Sequence, residues 1–114
     1  MATTHDAVQP LTSPSFDELI ASSEVPVVID FWAAWCGPCE PMAEALATVA
    51  GEQAGRMVAG SVDVDDQPDL ALRYGVQSMP TLLVFRDGEV VGRMVGARGA
   101  ARLREDLSGY HDWS

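Results

Sequence analysis

The chain has 114 residues, one domain's worth, and folding at that size buries about two thirds of the extended chain's surface. Apolar residues make up 47 % and charged residues 21 %, and 17 acids against 7 basic residues leave a net charge of −10. That balance argues against sequence-independent nucleic-acid binding, which needs many phosphate-neutralising cations, and against an anionic membrane surface; it is compatible with solubility and protein partners.

All seven basic residues are arginine, and lysine is absent. No apolar run is long enough to span a bilayer. The opening "MATTHDAVQP" has neither a basic n-region nor an apolar run, so no signal peptide is expected and the expected location is the cytoplasm. Two cysteines do not make a secreted disulfide framework.

Residues 1–9 are polar and unpatterned and read as a loose tail, with one domain over 10–109 and a second tail over 110–114. "TSPSFDELIASS" starts a helix: Ser13 or Ser15 can cap it, Pro14 suits the first turn, and Asp17 and Glu18 suit the positive helix end. Phe16, Leu19 and Ile20 give it an inward stripe. "PVVIDFWA" is nearly continuously apolar and reads as a central strand buried on both faces, interrupted by Asp30. After the segment "WCGPC", "MAEALATVAGE" has helical spacing, and "RMVAGSVDVD" reads as a second inner strand. "QPDLALRYG" is a short helix closed by Gly75. "TLLVFRDGEVVGRMVG" is a hairpin turning at Asp87-Gly88, and "ARGAARLREDLSGY" is an amphipathic helix with Leu103 and Leu107 inward. This order predicts an α/β fold: a mixed sheet, parallel in its first half with an antiparallel hairpin added, and helices on both faces.

Both cysteines of the chain, Cys36 and Cys39, fall in the one short segment. Cys36 is placed at the end of a strand and Cys39 in the first turn of the next helix, where residues three apart are neighbours on one face. A disulfide needs Cβ atoms about 3.5–4.5 Å apart, so a small local adjustment allows the pair to cycle between dithiol and disulfide. The unpaired N–H groups and positive end of the helix favour a thiolate. Cys36 is therefore expected to be the nucleophile, and Cys39, one turn in and more buried, the resolving thiol. Gly37 lets a partner's backbone approach, and Pro38 stiffens the loop without costing a helical hydrogen bond. The competing readings are a zinc half-site and two inert core cysteines. Zinc normally takes four ligands, and the remaining soft donors, His5 and His111, lie near opposite ends of the chain. A CxxC after an apolar strand in an α/β chain favours the redox pair. Asp30 stands out independently, since a carboxylate in an apolar strand is rare, and desolvation should raise its pKa to what a proton acceptor for a thiol requires.

"VVIDFWAAWCGPC" and "RYGVQSMPTLLVFRDGEVVGRMVGA" resemble the two halves of the thioredoxin family, and the similarity covers about residues 10–108. WCGPC resembles thioredoxin proper more than disulfide isomerases or periplasmic oxidants. The resemblance implies a general protein disulfide reductase of reducing character. It makes Cys36 the attacking thiol and Cys39 the resolving one, joined in a reversible disulfide, with Asp30 the buried carboxylate behind Cys39. It makes Pro80 a cis proline facing the disulfide, and Trp35, Met79, Val95, Gly96 and Ala97 the walls of a groove for a partner's extended chain. It implies disulfide-containing protein substrates, an NADPH-dependent thioredoxin reductase as electron donor, a monomer, and no bound cofactor. The competing readings are a satisfied structural aspartate at Asp30, core packing at Trp35 and Met79, and a plain turn at Gly96. For the whole protein they are an oxidant or isomerase, and a binding module with dispensable thiols.

Three positions depart from the family pattern. Ser61 stands where a lysine usually lies near the buried aspartate, which should leave the Asp30 pKa higher. Glu40 reverses the usual charge after the second cysteine. Glu44 replaces the helix-kinking proline, and Pro41 appears instead, where it is expected to remove a bond to about Gly37 and bend the helix early. The acidic "DVDDQPD" superficially resembles a calcium loop, but Pro68 sits where that loop wants glycine, so Asp63, Asp65, Asp66 and Asp69 read as a strand end and helix cap. "RGAARLR" reads as a solvated basic face.

Overall fold

The computed structural model describes residues 7–110. In chain order its elements are β1 (Val8–Pro10), α1 (Ser13–Ser22), β2 (Val27–Trp32), α2 (Cys39–Glu52), β3 (Val58–Asp63), α3 (Pro68–Arg73), β4 (Thr81–Arg86), β5 (Glu89–Val95) and α4 (Ala100–Leu107), closed by a 3₁₀ turn over Ser108–Tyr110. The sheet runs β1-β3-β2-β4-β5: β1, β3 and β2 are parallel, while β4 and β5 are antiparallel to their neighbours. Asp87 and Gly88 both have positive φ, 55° and 82°, the conformation a two-residue hairpin turn needs to match the twist of its strands.

The two-residue period of the strands sorts the core into two layers. Val28, Leu82, Val84 and Ala59 face α2 and α4, where Met42, Leu46, Val49, Leu103 and Leu107 close over them. Val27, Ile29, Phe31, Leu83 and Phe85 face the other way, onto Phe16 of α1 and Leu70 of α3. Phe16, Tyr74 and Phe85 meet as an aromatic cluster with centroids 5.3–5.7 Å apart. Asp30 shares the parity of Val28, so it points to the α2 side. The register then lays one rung across all five strands: Pro10, Ser61, Asp30, Leu82 and Met94.

Four expectations change. The sheet starts at Val8, inside the stretch that reads as tail: three residues carry too little pattern to announce a strand, and β1 owes its form to pairing with β3, extended by Leu11 N–H to Ser61 O at 2.9 Å. The cap of α1 is Thr12, whose N–H donates to Ser15 Oγ at 2.9 Å; Asp17 lies beyond the first turn and accepts from Arg73 of α3 at 2.6 Å. Pro41 is the third residue of α2, and the helical ladder begins only with Met42 N–H to Pro38 O at 3.4 Å, so the missing N–H of Pro41 is one the helix start leaves unpaired anyway. The last helix is shorter than its pattern, ending at Leu107. The terminal stretches 1–6 and 111–114, with His5, His111 and Trp113, lie outside the described residues.

Gly60 marks a close approach. A Cβ there would sit 2.5 Å from Leu11 Cδ1 and 3.3 Å from the Gln9 carbonyl oxygen, in the buried seam between β1 and β3. Gly60→Ala is therefore expected to destabilise the fold by about 1–3 kcal/mol through overpacking. Gly51→Ala, with open space near the end of α2, is expected to stabilise it by about 0.5 kcal/mol. Equilibrium unfolding in urea compares the two; equal effects would refute the seam.

Candidate active site

The apolar run of β2 ends at Trp32, and the chain turns through Ala33 and Ala34 into α2. Two short bonds shape this turn: Cys36 N–H to Ala33 O at 3.1 Å and Cys39 N–H to Cys36 O at 3.2 Å. Pro38 is the cap of α2 and Cys39 its first residue. Cys36 thus lies before the helix, not on it, and the turn brings the pair together with Cα atoms 5.4 Å apart, joined as a disulfide. The two cysteines differ in exposure: Cys36 is half-buried, whereas Cys39 is 3 % exposed. The unpaired N–H groups at the start of α2 favour negative charge on Cys36 when the disulfide opens.

Beside the disulfide lies an open cleft of about 850 Å³. Cys36, Gly37, Cys39, Glu40 and Ala43 form one side, Pro10 and Ser61 the other, and Asp30 part of its lining. Asp30 is 1 % exposed, and its Oδ1 has no hydrogen-bond partner among the described residues. Burial out of water pushes its carboxyl up from the ordinary 3.8 to about 7. This is the direction expected of an aspartate in an apolar strand beside Ser61, which supplies no charge.

Trp35 is 67 % exposed, so the core-packing reading fails for it; its indole N–H donates to Asp65 Oδ2 at 3.1 Å. Met79 is half-buried and packs against the α1-side core. The Met79–Pro80 peptide bond is cis. Pro80 is buried, and its carbonyl accepts the Gly96 N–H at 2.9 Å, while Gly96 holds φ +100°. The register rung Phe31–Thr81–Val95 puts Pro80 and Gly96 at the end of the sheet where β2 runs out toward Cys36. Val95 and Ala97 are exposed there. The cleft gathers Asp30, Cys36, Gly37 and Cys39; Trp35, Pro38, Met79, Pro80, Val95, Gly96 and Ala97 do not line it.

Two residues escape a reading of the sequence. Asp65 holds Trp35, but within "DVDDQPD" nothing marks which aspartate faces a residue 30 positions away. Asp63 turns inward on the loop instead, accepting the Asp65 N–H at 3.0 Å. Arg98 reads as part of a solvated basic face, yet it is half-buried: it donates to Val95 O at 2.9 Å, to Gly96 O at 3.3 Å and to Asp106 of α4 at 2.7 Å. Its neighbours on that face are paired too, Arg104 with Glu52 at 2.8 Å and Arg102 with Asp106 at 3.6 Å. Among the described residues no group of three His, Cys, Asp or Glu side chains is placed to hold a metal.

The family model Thioredoxin matches residues 7–109. The chain is 45 % identical over 98 residues to the thioredoxin of Mycobacterium bovis, covering 86 % of this chain and 84 % of that protein. It is 43 % identical over 93 residues to thioredoxin 1 of Chlorobaculum tepidum, covering 82 % and 92 %. It is also 44 % identical over 98 residues to the bifunctional thioredoxin reductase/thioredoxin of Mycobacterium leprae, covering 86 % of this chain and 21 % of that one. With its cysteine pair closed at the start of α2 and lining one cleft with a buried carboxyl, the chain belongs to the thioredoxin family and is a thiol–disulfide oxidoreductase.

Proposed function

We propose that the protein reduces disulfides in other proteins, with Cys36 as the attacking thiol and Cys39 as the resolving one. The observation that carries this reading is the unequal exposure of the two cysteines: Cys36 is half-buried, whereas Cys39 is buried. The Cys36 thiolate attacks one sulfur of the substrate disulfide; the substrate S–S bond breaks, and its second sulfur leaves as a thiolate that takes a proton. Cys39 then gives its proton to Asp30 and attacks Cys36 Sγ, releasing the other substrate thiol and closing Cys36–Cys39. Two electrons pass to the substrate, and the protein is left oxidised.

Regeneration is assigned to an NADPH-dependent thioredoxin reductase, which returns two electrons to the disulfide. The Mycobacterium leprae relative, whose name joins reductase and thioredoxin in one protein, supports the pairing. We place the protein in the cytoplasm as a monomeric electron carrier; among the described residues no helix is long and apolar enough to cross a membrane. Trp35, Gly37, Pro38, Met79, Pro80, Val95, Gly96 and Ala97 are assigned to the surface that receives the partner's chain.

Insulin reduction driven by dithiothreitol, then by a reductase and NADPH, tests the reading. Both should proceed, and a reduction potential on the oxidising side of the glutathione couple would overturn it. Arg98 supplies a further check. Its guanidinium ties the Val95 and Gly96 carbonyls to Asp106, so Arg98→Ala should loosen the receiving edge. Its KM for insulin should rise by roughly threefold to tenfold, the equivalent of about one ordinary hydrogen bond, while reduction of a small aromatic disulfide stays unchanged. Equal losses on both substrates would show that Arg98 serves the fold alone.

A further inference from the structure

The cleft beside the disulfide is framed on the side of the sulfurs by Cys36, Gly37 and Glu40, next to where a partner's disulfide must settle. Its volume of about 850 Å³ is that of a pocket for a small ligand or for one long side chain with its water. Pro10, Ala34 and Ala43 make apolar walls, and the polar side chains are Gln9, Asp30, Ser61 and Glu40. None of the seven arginines lines the cleft, and the chain has no lysine. Around Asp30 the sheet offers Ser61 from β3 and Leu82 from β4, β1 offers Pro10, and α2 offers Cys39, Glu40 and Ala43; none is positive.

A carboxyl 1 % exposed with an unpartnered Oδ1 is in an unfavourable setting when ionised, and an opposite charge brought within a few ångströms relieves it. Arginine and lysine can provide that charge at the end of an apolar stem, and the cleft suits this division, with apolar walls and the Asp30 carboxyl among its polar groups. Guanidinium suits it better than ammonium, because it is planar, more weakly hydrated and matched to a carboxylate.

We propose that the cleft is a subsite for a basic side chain, arginine before lysine, carried beside the target cysteine of the disulfide partner. The inference rests on the reductase reading of Cys36 and Cys39, and adds which disulfides the protein prefers. It also carries a pH signature: the attraction is present when Asp30 is ionised and fades as pH falls through about 7.

Three symmetric disulfide-linked peptides, identical except for Arg, Gln or Glu after the cysteine, test this. Their rates of reduction by the dithiol form at pH 8 are each divided by the rate with dithiothreitol, which removes the intrinsic reactivity of each disulfide. The normalised Arg-to-Glu ratio should be roughly tenfold. Ser61→Lys, which places a cation on the cleft wall, should bring it close to one, and Asp30→Asn, read on the ratio and not on the rate, should lower it likewise. Glu44→Gln, an equal change in net charge outside the cleft, should leave it intact. A ratio near one in the unmodified protein, or one untouched by both cleft variants, overturns the subsite while reduction of the Gln peptide upholds the reductase. Failure to reduce any peptide overturns the reductase reading and the subsite with it.

Discussion

Cys36→Ser is expected to lower disulfide reduction to the uncatalysed background, whereas Cys39→Ser should keep the first chemical step and lose the second. The serine hydroxyl is not ionised near neutral pH, and the chain has no other thiol to replace that of Cys36 except Cys39, which is buried. In Cys39→Ser the Cys36 thiolate still attacks, but nothing resolves the mixed disulfide, so the protein should accumulate as a one-to-one adduct with its partner. Intact-mass spectrometry after mixing each variant with a disulfide peptide reads the outcome. An adduct in Cys36→Ser with none in Cys39→Ser would reverse the assignment that the 3 % exposure of Cys39 supports.

Asp30 is expected to make the protein less stable as pH rises toward neutrality. The unfolded chain loses this proton near 3.8, the folded protein only near 7. Between these values the folded state holds the extra proton, so stability falls as pH rises; above about 7 both states are ionised and the loss is complete, and below about 4 it is absent. Moving a carboxyl from 3.8 to about 7 corresponds to about 4 kcal/mol. Asp30→Asn removes the titration but leaves a buried amide short of partners, which costs about 1–3 kcal/mol itself. The variant should therefore be more stable than the parent by about 2 kcal/mol at pH 8, less stable at pH 4, and slower to resolve the mixed disulfide. Urea unfolding of both oxidised proteins from pH 4 to 8 isolates the effect, because every other titrating group is shared. A stability difference that does not change with pH would refute a carboxyl kept protonated by burial.

Much of the architecture is legible along the chain because its signals are local. Two β-forming runs, "TLLVF" and "EVV", around the turn at Asp87-Gly88 specify a hairpin within a dozen residues. The stripe of Phe16, Leu19 and Ile20 similarly settles which side of α1 faces inward. The misreadings share a different origin. β1 is three residues long, and its strand form comes from β3, some 50 positions away. The place of Pro41 depends on where α2 begins, and that is set by the turn bonds at Cys36 and Cys39, not by the apolar periodicity of the helix itself. Arg98 looks solvated because its partners, two backbone carbonyls and Asp106, leave no mark on its own neighbours in sequence.

By itself, then, the sequence determined the kind of chemistry: two thiols three apart around Gly-Pro after an apolar strand, and one aspartate where a strand should be apolar. It also determined the kind of fold, through the order of its periodic segments. The tertiary structure decided what surrounds that chemistry. Strand order β1-β3-β2-β4-β5 put Pro10 and Ser61 beside Asp30, opened a cleft along Cys36 and Cys39, and set Pro80 against Gly96 and Trp35 against Asp65. Periodicity reports which face of an element is buried, but not which other element covers it. Those partners are chosen by long-range packing, and that choice left the buried Asp30 carboxyl in a cleft with no positively charged side chain from the described residues.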